Sequence, residues 1–161
     1  NVILSRYEIV DTVATNVHGK YQFAKTLEDF HEHAYTVQIV KLENGLSVVN
    51  HHGYWLPTPV GDETTVSVMR KVASLVKEIN GPLVMCGDLN IIHAAPAMRE
   101  LDFLRDLTEE NGIDNTLSGL KFVGKVACDH ILVNDTVKVQ DFRVLDDLVS
   151  DHKALVVEIG A

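Results

Sequence analysis

The residues Gly87-Asp88-Leu89-Asn90 follow an apolar run, Pro82-Leu83-Val84-Met85-Cys86, that reads as a buried strand. A strand ending this way delivers a carboxylate and an amide to its C-terminal mouth, where α/β sheets place their ligands. Two apart in an extended segment, Asp88 and Asn90 are expected to project to one side. One can hold or activate a water while the other donates to a phosphate or orients the first. The same tetrapeptide also makes ordinary turns, so its chemistry depends on what accompanies it. Three further strand ends carry polar groups: Val48-Val49-Asn50-His51-His52-Gly53, Cys128-Asp129-His130-Ile131-Leu132-Val133, and Ser150-Asp151-His152 ahead of a last strand from Lys153 to Ile159. Four apolar strands, each with His, Asp or Asn at one end, describe a site collected at the rim of stacked sheets.

Taken in order, these segments resemble the endonuclease/exonuclease/phosphatase superfamily of metal-dependent phosphoesterases. Asn50-His51-His52 is similar to the family's Asn-x-His, and Gly87-Asp88-Leu89-Asn90 to its Gly-Asp-x-Asn. Asp129-His130-Ile131 is similar to its Asp-His/Tyr-Ile, and Ser150-Asp151-His152 to its Ser-Asp-His. Val2-Ile3-Leu4-Ser5-Arg6-Tyr7 looks like its Ile-Leu-Ser-Arg/Lys segment. The resemblance implies a divalent-metal-dependent hydrolase of phosphodiester or phosphomonoester bonds, using Mg²⁺ or Mn²⁺. Its substrate would be a nucleic acid or a small phosphorylated molecule. By the same resemblance Asp88 orients or deprotonates the attacking water, and Asn90 holds Asp88 and contacts the phosphate. His152 donates to a phosphate oxygen or acts as acid or base, and Asp129 orients it. His52 is the second imidazole at the phosphate, and Asp151 lies near the metal.

The implied fold is α/β (α+β), a four-layered αββα sandwich of mixed, largely antiparallel sheets. In the family an Asn-bearing strand and a Gln-Glu motif, which supplies the metal-binding Glu, precede the Ile-Leu-Ser segment. Here that segment starts at residue 2. The single domain of residues 1–161 is therefore expected to be the C-terminal two-thirds of the family's domain, incomplete at its N-terminus and weak or inactive alone. An exposed sheet edge is expected where further strands would pair, which invites association with another chain. One position departs from the pattern: Ala127 stands where an Arg commonly precedes the Asp-His/Tyr-Ile motif, and the nearest cation is Lys125. A rival reading is a non-catalytic interaction module that keeps the fold. Retention of Asp88, Asn90, Asp129, Asp151 and His152 together argues against it.

The elements that must position these residues are legible from pattern. Residues 2–5 and 8–16 read as strands. His18 to Glu32 is a polar and aromatic connection, and His31-Glu32-His33, despite a metal-like spacing, reads as solvated loop. Residues 34–42 alternate apolar and polar, Asn44-Gly45 makes a hairpin turn, and 46–50 return as the partner strand. Asp62 caps a helix whose inner face is Val66, Met69, Val72, Ala73, Val76 and Ile79. Pro96 opens a second helix, with Met98, Leu101, Leu104 and Leu107 facing inward and Asn111-Gly112 ending it. Residues 113–126, with Gly119 and Gly124, are irregular. Strands 127–133 and 137–145 flank a turn at Asn134-Asp135-Thr136. Adjacent strand residues point to opposite faces, so His51 and His130 should face away from a site that holds His52 and Asp129. His93 reads as a surface residue. Tyr54 and Trp55 either stack on a substrate or pack against their own loop.

Composition narrows the function. Hydrophobic content of 46% with 23% charged residues suits a globular protein with one core. The net charge of −9 comes without a basic stripe: Lys20, Lys25, Lys121, Lys125 and Lys138 are scattered. That argues against tight sequence-independent DNA binding, while a bound metal would supply local positive charge. No apolar run approaches a membrane span and no signal peptide is visible at Asn1; the compartment stays open, with a cytoplasmic location favoured. Cys86 and Cys128, the only cysteines, read as buried free thiols.

Overall fold

The computed structural model describes residues 1–119, 125–147 and 150–160; Lys121 and Gly124 lie outside the described residues. Strands β1 (Ile9–His18), β2 (Tyr35–Leu42), β3 (Ser47–His51), β4 (Leu83–Asp88), β5 (Arg105–Asp106) and β6 (Asp129–Val133) form a mixed sheet in the order β1-β2-β3-β4-β6-β5. The β2–β3 hairpin turns at Asn44-Gly45, where Gly45 takes φ 88° and the Asn44 side chain accepts the Leu46 N–H. Strands β3 and β4 are parallel, so a crossover must join them. Helix α2 (Glu63–Lys77) supplies it, starting at a capping box in which Asp62 and Thr65 exchange side-chain to backbone bonds.

Period-2 alternation then sorts the strands' side chains into two cores. Val37, Val49, Met85 and Leu132 meet Val68, Met69, Val72 and Val76 of α2 in one buried cluster. From the other face, Val84, Ile131 and Val133 pack with Phe142, Leu155 and Val157. Those last three come from β7 (Lys138–Leu145) and β8 (Ala154–Gly160), an antiparallel two-stranded sheet. The result is the expected mixed α/β sandwich. Strand β1 is an edge, and Ile9, Val10 and Val13 on it are exposed.

Three expectations need correction. Residues 2–5 form no strand; a strand needs a neighbour for its ladder, and the Val2 carbonyl instead accepts from the side chain of Asn50. The second helix is broken. A 3₁₀ segment at Pro96–Leu101 gives way to β5 and then to the short helix α3 (Leu107–Glu110), because Arg105 and Asp106 pair with Val133 and Leu132 of β6. Nor is His31-Glu32-His33 a solvated loop. Helix α1 (Leu27–His31) brings His31 and His33 among Phe30, Tyr35, Tyr54 and Trp55, with His33 and Tyr35 ring centres 4.4 Å apart.

Candidate active site

Strand β4 ends on Asp88 and β6 begins on Asp129, and the antiparallel register sets the two directly opposite one another. The approach of β3 to β4 explains the glycine before Asp88: a Cβ on Gly87, at φ 154°, would lie 1.9 Å from the His51 carbonyl oxygen. Beyond Asp88 the chain turns sharply. Asn90 takes φ 57°, alone among non-glycine residues of the described chain, a conformation that Asn tolerates better than most. Its N–H donates to Oδ1 of Asp88 (2.9 Å), and its Nδ2 donates to the Gly53 carbonyl (2.9 Å). Asn90 therefore does not project from an extended segment, and its backbone rather than its side chain holds Asp88.

His152 reaches the same mouth by a different route. Residues 116–118 run beside 150–153: Ser118 N–H donates to the Asp151 carbonyl, Lys153 N–H to the Thr116 carbonyl, and Leu117 bridges His152. This strap places Nδ1 of His152 2.9 Å from Oδ2 and 3.1 Å from Oδ1 of Asp129. A carboxylate only accepts, so Nδ1 carries the proton. Nε2 is left 3.8 Å from Oδ2 of Asp88. Thr116, fully buried, donates to Oδ2 of Asp129 at 2.5 Å and accepts from the N–H groups of Cys128 and Asp129. On the other side of Asp88, Nε2 of the exposed His52 lies 3.6 Å from Oδ2.

These groups line a cleft of about 780 Å³. Its lining combines the polar His52, Asp88, Asn90, Asp129, Asp151 and His152 with the apolar Leu27, Phe30, Trp55, Leu56, Pro57 and Pro59. Trp55 thus faces the cleft, while Tyr54 is buried and packs with its neighbours. Burial, then the charge of Asp129, raises the pKa of Asp88 against the opposing pull of the Asn90 N–H and both imidazoles. For His152, burial works against the cation, but the hydrogen bond and charge of Asp129, followed by Asp88 and Asp151, outweigh it and raise its pKa.

The histidines beside the site face away from it. His51 is buried, with Nδ1 on the Thr36 carbonyl and Nε2 without a partner; burial lowers its pKa to about 4. His130 sits between Oδ2 of Asp106 and the Ile91 carbonyl, each 2.8 Å from a ring nitrogen. His93, half-exposed, is also on Asp106 rather than free at the surface. Asp106, Thr116 and Cys128 are the site's neighbours that pattern missed. Thr116 lies in an irregular stretch with no local signal, and Asp106 falls within the helix that the apolar spacing predicts.

A sequence model of the Endonuclease/Exonuclease/phosphatase family matches residues 1–152. The chain belongs to this family. Its members are phosphoesterases, typically dependent on a divalent metal. Solved structures share the fold at low identity. A mannosyl-6-phosphatase of Bacteroides thetaiotaomicron is 17% identical, with TM-score 0.73 over 96% of this chain and 67% of that one. The human Nocturnin catalytic domain, solved with a bound sulfate anion, is 15% identical, with TM-score 0.62 over 96% and 60%. Danio rerio TDP2, complexed with a single-strand DNA product, is 13% identical, with TM-score 0.62 over 97% and 69%. The chain thus spans about two thirds of such family structures. No curated protein matches it at a significant level. Among the described residues no helix is long and apolar enough to cross a membrane.

The site can be tested against the family's metal. Asp88, Cys128, Asp129 and His152 each offer one ligand atom, all within 4.8 Å of one another. Mg²⁺ demands an octahedron of oxygens at about 2.0–2.1 Å. Only two of these four donors are carboxylates, and His152 and Thr116 already engage Asp129. Asp151 lines the cleft outside this compact group. The group does not by itself fit Mg²⁺.

Proposed function

We propose that this chain carries the phosphate-handling face of a divalent-metal-dependent phosphoester hydrolase. The observation that supports this reading best is the Asp129–His152 pair aimed at Asp88 across the mouth of the cleft. Hydrolysis needs a polarised phosphate, a deprotonated water and a protonated leaving oxygen. Asp88, with its raised pKa, accepts the proton of the attacking water. His52 and Asn90 flank the place where a phosphate would lie. His152, kept protonated at Nδ1 by Asp129, presents Nε2 to a phosphate oxygen. Asp151 stands at the rim as a further carboxylate toward a cation. In this reading the chain supplies about two thirds of the domain, and the oxygen donors that Mg²⁺ or Mn²⁺ requires come in part from outside these 161 residues.

Substrate type stays within phosphodiesters and phosphomonoesters, nucleic acid or small molecule. The test is to assay the full-length protein on a DNA, a nucleotide diester and an inositol phosphate, with Mg²⁺, Mn²⁺ or a chelator. Hydrolysis that falls with the chelator and in both Asp88→Asn and His152→Ala is expected. Hydrolysis that survives both substitutions unchanged would sink the assignment.

A further inference from the structure

The donor set that suits Mg²⁺ poorly has a different character of its own. Asp88, Cys128, Asp129 and His152 combine two carboxylates, a thiol and an imidazole, and no two of their ligand atoms are more than 4.8 Å apart. We infer that this cluster is a binding site for a thiophilic divalent cation such as Zn²⁺ or Cd²⁺, centred between Cys128, Asp88 and His152.

The geometry carries the assignment. Tetrahedral zinc with bonds of roughly 2.0–2.3 Å holds its ligand atoms roughly 3.3–3.8 Å apart. Nε2 of His152 lies 3.8 Å from Oδ2 of Asp88, and the Cys128 thiol belongs to the same group of ligand atoms, all within 4.8 Å. The imidazole is already oriented as zinc ligands are, with Nδ1 spent on a carboxylate and Nε2 facing the cleft. Thr116 braces that carboxylate in turn. Access exists, because all four residues line the open cleft. Soft donors discriminate among metals by this rule: thiolate and imidazole select zinc-like ions, whereas Mg²⁺ takes oxygen.

The chemistry balances simply. The cation forms a bond to sulfur, the S–H bond breaks, and the proton passes to solvent. Two flanking carboxylates, which burial leaves close to the thiol, then face a cation instead of an S–H group. An ion seated here engages Asp88 and His152 together, so it would block rather than assist the proton transfers proposed above. The binding claim is independent of that reading, since it concerns only the metal and four side chains.

Cadmium is the probe. Titrating the purified chain with Cd²⁺ should give one ion per chain and a thiolate-to-cadmium charge-transfer band in the ultraviolet. Cys128→Ser should abolish the band, and Cys86→Ser should keep it. His152→Ala should weaken Cd²⁺ binding at least about tenfold. Excess Zn²⁺ should compete with Cd²⁺ for the site, and excess Mg²⁺ should not. If Cys128→Ser fails to fold, as judged by circular dichroism, the His152→Ala and Cys86→Ser titrations still decide. A band that is absent from the native chain, that follows Cys86, or that is unaffected in affinity by His152→Ala would overturn the site.

Discussion

Strand β6 carries two acid–imidazole pairs, one on each face, and they are built to opposite ends. On one face Asp129 holds His152; on the other His130 is held by Asp106. In the inner pair both ring nitrogens are spent, on Oδ2 of Asp106 and on the Ile91 carbonyl. Both partners accept only, so His130 must donate twice and carries the positive charge. Burial opposes that charge, but Asp106 and Ile91 outweigh it and raise the pKa of His130. For Asp106 burial acts upward, and the hydrogen bonds and charges of His130 and His93 more than reverse it. In the outer pair only Nδ1 is committed, and Nε2 of a partly exposed ring faces the cleft. The inner pair ties the loop after Asn90 to the sheet. The outer one keeps a free nitrogen for a ligand. The contrast separates an Asp–His pair with both ring nitrogens spent from one whose second nitrogen stays turned to the cleft.

The comparison can be broken first at the outer pair. His152→Ala in the full-length protein should lower phosphoester hydrolysis by about 10²–10⁴-fold, the usual worth of a positioned acid or base, with little loss of stability. Rates within a few-fold of native would remove His152 from the chemistry. The inner pair should fail the other way. Asp106→Ala strands a buried imidazolium and should cost about 3–5 kcal/mol by urea unfolding. Asp129→Ala removes an acceptor of two side-chain hydrogen bonds but also relieves the repulsion of Asp88, and should cost less, about 2 kcal/mol. Equal losses at the two aspartates would erase the distinction drawn between them.

A third histidine sharpens the point, because it has no carboxylate at all. His51 is buried and neutral with its pKa lowered to about 4. A histidine depressed in the folded state contributes fully above its unfolded value near ~6.5, and that contribution is lost as pH falls toward 4. The span corresponds to about 3 kcal/mol at roughly 1.4 kcal/mol per pH unit. Unfolding free energies measured across this range should show the loss in the native chain and not in His51→Gln. The smallest effect belongs to the brace behind the outer pair. Thr116→Val removes the donor to Asp129 and the acceptor for two N–H groups, and should cost about 1–2 kcal/mol. If Thr116 acts by orienting Asp129, the same change should also shift the pH profile of hydrolysis. A stability loss with an unmoved profile would leave Thr116 purely structural.

Much of this arrangement was legible locally. Each of the four polar clusters sits where an apolar run stops, and a strand that ends in Asp or His needs no tertiary information to aim that group at the sheet's rim. The opposite-face rule correctly sent His51 and His130 away from Asp129 and His52, because backbone pleating fixes side-chain direction residue by residue. Turn and cap chemistry at Asn44-Gly45 and Asp62 worked for the same reason. The failures are equally physical. The apolar spacing of Met98, Leu101, Leu104 and Leu107 suits a helix, yet Arg105 and Asp106 gain more by pairing with β6. Residues 2–5 have strand-forming side chains, but no strand among the described residues pairs with them.

What the chain determined by itself was therefore the family, the mixed sandwich and the identity of the residues at the rim: local patterns whose meaning does not depend on distant partners. What only the tertiary structure decided was how those residues are held. The strap between residues 116–118 and 150–153 delivers His152 to Asp129 across more than twenty positions of sequence. A left-handed turn at Asn90 makes its N–H, not its amide, the clamp on Asp88. Asp106, Thr116 and the thiol of Cys128 acquire their roles only when non-local strands bring acceptors and donors within hydrogen-bond reach, a juxtaposition that no local propensity encodes.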